Sequence, residues 1–94
     1  MNPTTFDAFK ANALAAGCDE VLERHWPAHT VLDTHAHDFD AEAVVTQGEM
    51  WLTRGEETQY LTAGGTFKLA RGVPHSERYG AEGATYWVAR SNSG

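Results

Sequence analysis

The chain has 94 residues, of which 41% are hydrophobic, and it carries a formal net charge of −6. This size and composition indicate one small globular domain and exclude a disordered or membrane-spanning chain. Acidic residues outnumber basic ones by 13 to 7, and no cluster of Lys or Arg is present, so we expect no nucleic acid as a partner.

Three further features of the composition set expectations about location and assembly. The single cysteine, Cys18, excludes an internal disulfide, so a reducing compartment is permitted. No apolar run reaches the length of a signal peptide or a membrane span, which predicts a cytoplasmic protein without a membrane partner. A chain of this size buries only about 60–65% of its unfolded surface, so we predict a homodimer.

The first predicted element is an amphipathic helix over residues 3 to 17. Pro3 with Thr4 or Thr5 supplies its start, and Gly17 supplies a left-handed stop. Its apolar stripe consists of Phe6, Phe9, Ala13 and Leu14. Because a helix of this length is marginal in water, it must pack on the rest of the domain, as a cover over an opening, or on a partner as an interaction arm.

After Gly17 the pattern changes to short extended runs separated by turn signals, which is typical of an all-β sandwich or barrel. The predicted strands span residues 20–26, 29–35, 42–47, 49–53, 57–62, 66–70, 76–79 and 84–90. Turn residues separate them, including Gly48 and the segment 80–83. We therefore predict an N-terminal helix (1–17) packing on a single barrel (18–90), followed by a tail (91–94).

A group of metal-binding residue types follows the second predicted strand. His35 and His37 lie two residues apart, so on an extended segment both rings project to one face. Asp40 and Glu42 come next, and His75 follows a Gly-Pro turn farther along the chain. Three imidazoles and a carboxylate suit a divalent transition metal, which predicts a metal site if these strands form one sheet.

This pattern resembles the first of the two motifs of the cupin superfamily. That motif reads Gly, five residues, His-x-His, three or four residues, Glu, six residues, Gly. The matching residues here are His35, His37, Glu42 and Gly48. His29 stands where the leading Gly belongs, and the stretch from Glu42 to Gly48 is one residue short.

The second cupin motif is also matched in order, after residues 49 to 63. It reads Gly, five residues, Pro-x-Gly, two residues, His, three residues, Asn. The matching residues are Gly64, Gly72 and His75, whereas Ala70 and Tyr79 replace the Pro and the Asn. The resemblance covers residues 29 to 79.

The resemblance implies an all-β fold, the cupin-type double-stranded β-helix, which is an RmlC-like jelly-roll barrel. It also implies a divalent transition metal (Fe, Mn, Ni or Zn) at the centre of the barrel, and a small polar organic molecule as ligand. His35, His37 and His75 are the implied metal ligands, and Glu42 is the implied carboxylate.

The position of the carboxylate is the least regular part of this match. The family's Glu lies seven residues before the closing Gly, at Ala41 here, whereas Glu42 lies six before Gly48 and would point to the opposite face of an unbroken strand. A bulge between residues 38 and 43 would turn Glu42 inward. Otherwise Asp40 competes for the position, or water fills it.

The sequence leaves three functions open. A metal with open coordination positions can polarise a carbonyl or bind dioxygen, which favours an enzyme, either a dioxygenase or an isomerase. The alternatives are a non-catalytic cupin that senses or stores a ligand or metal, and a structural dimer module with a vestigial site. Glu77 and Tyr79 are candidate acid–base groups that face either the pocket or solvent, and His25 and His29 belong to no motif.

Overall fold

The computed structural model describes residues 5–92, which form a short helix followed by six strands. The elements are α1 Phe6–Ala15, β1 Glu20–Trp26, β2 Val31–His35, β3 Asp40–Arg54, β4 Glu57–Thr62, β5 Thr66–Leu69 and β6 His75–Ser91. All strand pairs are antiparallel, in the order β1-β6-β3-β4, with β2 also paired to β6 and β5 to β3. The fold is the predicted all-β jelly roll with a short N-terminal helix.

The two long strands, β3 and β6, each contribute to both layers of the jelly roll. The first half of β3 pairs with the second half of β6, between β1 and β5. The second half of β3 pairs with the first half of β6, between β2 and β4. The largest almost fully buried side chains of the core are Tyr79, Met50, Leu52, His75 and Val45.

The predicted breaks at Gly48 and at residues 80–83 are bends within continuous strands. Gly48 has a φ of 79° and Gly83 a φ of 68°, a conformation that glycine adopts without strain. A Cβ atom on Gly48 would lie 2.1 Å from the carbonyl oxygen of Gly83, so the two backbones touch where the strands cross. Four predicted strands therefore merge into two, because these glycines bend the chain without ending its pairing.

The bend in β3 changes which side chains face the core. Before it, the odd-numbered Ala41, Ala43 and Val45 are buried; after it, the even-numbered Met50 and Leu52 are buried. Pairing with β6 is regular from Asp40 to Val45, and its register shifts only between residues 45 and 47 and between residues 48 and 50. The extra residue considered for positions 38–43 is thus absent from the paired stretch, and the irregularity lies farther along the strand.

The helix is shorter than the predicted span of 3 to 17, and residues 3 and 4 lie outside the described residues. It begins after Thr5, whose hydroxyl accepts a hydrogen bond from the Ala8 N–H at 3.1 Å. It ends before Gly17, whose φ of 99° reverses the chain. Among the described residues, no helix combines the length and apolar character needed to span a bilayer.

The helix packs on the outer face of the β1–β6 pair rather than over an opening of the barrel. The rings of Phe6 and Phe9 lie 6.0 and 5.9 Å from the Trp87 ring, and Trp87 alternates with the inward-facing Tyr86 and Val88. Leu14, the last residue of the predicted stripe, remains 46% exposed. The contact therefore rests on the first half of the stripe.

Candidate metal centre

Three of the five predicted ligand residues come together at one end of the barrel. His35 ends β2 directly opposite His75 at the start of β6, and their ring centroids are 4.3 Å apart. His37 lies in the β2–β3 connection, with its ring 5.0 Å from that of His35 and 5.1 Å from that of His75. One nitrogen from each ring lies within 4.8 Å of the others.

His37 is held by contacts on both sides. Its carbonyl oxygen accepts a hydrogen bond from the Gly72 N–H at 2.8 Å, which joins the β2–β3 and β5–β6 connections. Its ring stacks on Phe39 at a centroid distance of 4.6 Å. Burial, followed by the nearby His75 and His35, lowers the pKa of His37, which favours the neutral imidazole that binds metals.

Hydrogen bonds fix the tautomers of the other two rings. Nδ1 of His35 lies 2.7 Å from the Asp33 carbonyl oxygen, and Nδ1 of His75 lies 2.9 Å from that of Val73. Because a carbonyl oxygen only accepts hydrogen bonds, each Nδ1 carries a proton and donates it. In the neutral rings Nε2 is then left with a lone pair, as in metal-binding histidines whose other nitrogen bonds to the backbone.

The Nε2 atom of His75 provides the test of whether a metal fits. His75 is 2% exposed, and this nitrogen is buried without a hydrogen-bond partner. Leaving a buried polar atom unpaired costs roughly 1–3 kcal/mol, which a bound cation would remove. Neutral imidazoles are good donors to Fe, Mn, Ni and Zn, so these residues fit a divalent transition metal.

The structure does not bring Asp40 or Glu42 to the histidines. Asp40 is exposed, and its Oδ1 accepts a hydrogen bond from the Arg71 backbone N–H at 2.8 Å. Glu42 is exposed on β3, opposite Lys68 of β5. Both line a separate cavity of about 330 Å³ beside Cys18. Burial, then the charges of Glu42 and Asp19, raises the pKa of that thiol, which disfavours a reactive thiolate.

The carboxylate that does reach the cluster is Glu77. It is only 6% exposed, and its Oε2 lies 3.5 Å from Nε2 of His35 and 3.6 Å from Nε2 of His75. The sequence contains the signal for this placement, because residues two apart on a strand share a face and Glu77 follows His75 by two. Alternation alone did not decide whether this face of the strand turns toward the pocket or toward solvent.

Hydrogen-bonding aromatic side chains lie behind Glu77. The Tyr79 hydroxyl donates to Oε1 of Glu77 at 2.5 Å, and the Trp26 Nε1–H donates to the Tyr86 hydroxyl oxygen at 3.1 Å. Burial, then the neighbouring Tyr86 and Glu77, raises the pKa of Tyr79 far above its ordinary range. Tyr79 therefore remains a neutral donor that fixes the orientation of the carboxylate.

A cavity of about 430 Å³ opens beside the cluster. Its lining includes His35, His37, Glu77, Trp26, Arg24 and Arg90. Arg90 donates from Nη1 to Oε1 of Glu20 at 3.2 Å, whereas its Nε–H is buried without a partner. Two arginines, two carboxylates (Asp33 and Glu77) and two of the imidazoles thus line one small space.

The chain matches no protein-family model, and no curated protein is similar to it in sequence at a significant level. Several solved structures are similar in fold. KdgF from Halomonas sp. superposes with a TM-score of 0.70 at 17% identity, over 79% of this chain and 68% of that chain. The DMSP lyase DddQ from Ruegeria pomeroyi DSS-3 gives a TM-score of 0.71 at 19% identity, over 78% of this chain and 38% of that chain.

An RmlC-like cupin from Shewanella frigidimarina NCIMB 400 gives a TM-score of 0.65 at 20% identity, over 74% of this chain and 63% of that chain. The chain has the cupin fold. The likeness confirms the predicted cupin jelly roll, while identities of this order carry no activity over. The chain also spans less than two thirds of the lyase and of this cupin.

Two departures from the cupin motifs now have a structural account. Tyr79, which stands in place of the motif's Asn, is buried and holds Glu77. Ala41, at the position of the first motif's Glu, is 8% exposed and faces the core, so the inward position on β3 carries a methyl group instead of a carboxylate.

The remaining histidines and aromatic residues lie outside the cluster. Nδ1 of His25 lies 2.8 Å from the Thr85 hydroxyl, and His29 occupies a turn with a φ of 61°. Among the aromatic residues outside the cluster, Tyr86 lines the cavity, while Tyr60 is 54% exposed and contacts Trp51.

Proposed function

We propose that this cupin binds one divalent transition metal through His35, His37 and His75 and takes a small organic anion in the adjoining cavity. The observation that carries the proposal is the buried, unpartnered Nε2 of His75, which faces two more imidazoles. Such a nitrogen is costly in an apolar surrounding and favourable as a metal ligand.

Arg24 is the side chain of the cavity that supports an anionic ligand. Arg24 lies 4.9 Å from the Trp26 ring centroid, and among residues 5–92 no carboxylate lies within ion-pair distance of it. Arg90 donates a hydrogen bond from Nη1 to Glu20, which leaves its other guanidinium nitrogens for a ligand. A guanidinium group matches a carboxylate in charge and shape, so a small carboxylate suits this space.

The chemistry that the metal would supply is the polarisation of an oxygen atom of the ligand or the binding of dioxygen, consistent with an isomerase or a dioxygenase. The protein would bind and orient the anion through Arg24 and Arg90. The second candidate is binding without turnover, as in a ligand sensor. It is favoured by the surroundings of Glu77, because Tyr79 donates a hydrogen bond to Oε1, and Oε2 lies inside the cluster, 3.5 and 3.6 Å from the Nε2 atoms of His35 and His75.

The test combines metal analysis with calorimetry. After reconstitution with Zn²⁺, elemental analysis should give close to one metal per chain, and titration with succinate should give saturable binding. Arg24→Gln should weaken succinate binding about 10–150-fold and leave zinc affinity unchanged, since one charge-assisted contact is worth roughly 1.5–3 kcal/mol. Arg54→Gln, a surface change on β3, is the matched control. Absence of stoichiometric zinc would refute the metal site.

We also propose that the protein is a homodimer. A row of side chains across the β2–β6–β3–β4 layer supports this assembly. Registered pairs place Val31 opposite Arg78, Arg78 opposite Trp51, and Trp51 opposite Tyr60. Val31 is 63% exposed, and the Arg78 guanidinium lies 4.1 Å from the Trp51 ring centroid. A second copy of the chain would cover the apolar members of this row, Val31, Trp51 and Tyr60. Sedimentation showing only a 10.3 kDa species at micromolar concentration would contradict the dimer.

A cytoplasmic location also remains a proposal, supported by the single cysteine. Fractionation of cells that express the chain with its natural flanking sequence would test it.

A further inference from the structure

We infer that Glu77 is the carboxylate ligand of the metal, in place of Glu42, Asp40 or water. The inference rests on the proposed metal site. It differs from the family pattern, in which the carboxylate comes from the strand after the His-x-His pair, because here it comes from the strand that carries the third histidine.

The distances from Oε2 of Glu77 to the Nε2 atoms of His35 and His75 support the inference. Two donor atoms bound to one ion at about 2.1 Å in tetrahedral geometry lie about 3.4 Å apart. The separations from Oε2 to Nε2 of His35 and of His75 are 3.5 and 3.6 Å. Direct hydrogen bonds between these atoms would need roughly 2.7–3.2 Å. These separations are compatible with ligands of a shared ion and are longer than direct hydrogen bonds.

The hydrogen-bonding capacity of the two Nε2 atoms and of Oε2 also supports the inference. With both Nδ1 protons given to backbone carbonyls, the Nε2 atoms of neutral His35 and His75 present lone pairs, and so does Oε2 of Glu77. These three atoms converge on one space, where a cation would bind to all of them. A divalent ion satisfies all three atoms at once.

The hydrogen bond that Glu77 accepts from Tyr79 supports the inference as well. Metal-bound carboxylates are themselves held by further hydrogen bonds, and Tyr79 supplies such a bond to Oε1. The ring of Tyr79 is in turn stacked on Trp26 at 5.7 Å. Glu42 and Asp40 are both exposed, and the hydrogen bond that Asp40 accepts comes from the Arg71 backbone at the surface. Of the three candidate carboxylates, Glu77 is thus the one whose orientation is held by buried side chains.

The test compares Glu77→Gln with Glu42→Gln by competitive chelator titration of Zn²⁺. Gln has the shape of Glu and still accepts the Tyr79 hydrogen bond, so the fold should persist, and circular dichroism checks this. Because changes behind the ligands cost about 10–100-fold in affinity, Glu77→Gln should weaken zinc binding by more than about 100-fold. Glu42→Gln should have less than a twofold effect. The visible absorption of bound Co²⁺, which depends on the ligand set, should change in the first variant only.

A second measurement uses the unaltered protein, so it does not depend on whether a variant folds. The carboxyl ¹³C resonance of Glu77 should shift on zinc binding, while those of Glu42 and Asp40 should stay in place. An unshifted Glu77 resonance, or equal zinc affinity and an equal Co²⁺ spectrum in Glu77→Gln, would overturn the inference while leaving a three-histidine site intact. Failure of the metal proposal is distinct, because zinc would then not bind the wild type.

Discussion

Glu42 and Glu77 lie on neighbouring strands of the same barrel, yet one is exposed to solvent opposite Lys68 and the other is 6% exposed beside two imidazoles. The difference arises from the faces that their strands turn inward. Around Glu42 the odd-numbered residues face the core, and around Glu77 the odd-numbered His75 and Tyr79 do. The comparison shows that strand parity, rather than proximity to the His-x-His pair in the sequence, decides which carboxylate reaches the site.

The two environments also differ in energetic cost. An exposed carboxylate keeps its hydration, whereas burial of an uncompensated charge costs several kcal/mol. Among the described residues the groups within ion-pair distance of Glu77 are His35 and His75. The proposed metal ion would supply the positive charge that a buried carboxylate needs.

The largest expected effect comes from removing the bend between the two halves of β3. In Gly48→Ala the new Cβ meets the Gly83 carbonyl oxygen and the backbone retains a positive φ, so unfolding free energy should fall by about 3 kcal/mol or more. Chemical denaturation measures it. Gly55→Ala is the control, because its φ is 60° but nothing lies within 4 Å, and it should cost only about 1 kcal/mol. Equal losses would mean that strand contact at the bend is unimportant.

The next effect tests the buried side of the comparison directly. His75→Ala removes a fully buried donor from the cluster and should lower zinc affinity by more than about 100-fold, beyond what changes behind a ligand cause. His25→Ala, which alters a histidine bonded to Thr85 outside the cluster, should leave affinity unchanged. Chelator competition measures both. A zinc affinity in His75→Ala like that of the wild type would remove the site.

Tyr79→Phe should have an intermediate effect. It removes the hydroxyl that orients Glu77, and we expect zinc affinity to fall about 10–100-fold. Its Co²⁺ spectrum should shift toward that of Glu77→Gln, which a purely structural loss would not produce. Tyr60→Phe, which removes an exposed hydroxyl bonded to Glu49 at 2.6 Å, is the control. If the two tyrosine variants bind zinc equally well, Tyr79 has no positioning role.

The smallest expected effect belongs to the exposed side. The charge of Glu42 helps to raise the pKa of Cys18, so Glu42→Gln should lower that pKa toward the ordinary thiol value of 9.0. At pH 8 the thiolate fraction, and with it the rate of alkylation by iodoacetamide, should then rise. Glu57→Gln, on β4, is the control. An unchanged or slower rate in Glu42→Gln would show that Glu42 does not act on this side of the barrel.

The sequence by itself determined the all-β class and the helix stop at Gly17, because alternation and turn residues act locally. The resemblance to the two cupin motifs indicated the three histidines that meet in the cluster. The sequence also located the strands β1 and β4 at their observed bounds. Only the tertiary structure decided which carboxylate joins the histidines. That choice depends on inward parity, and parity changes at bends such as the one at Gly48, where contact with Gly83 joins residues far apart in the chain.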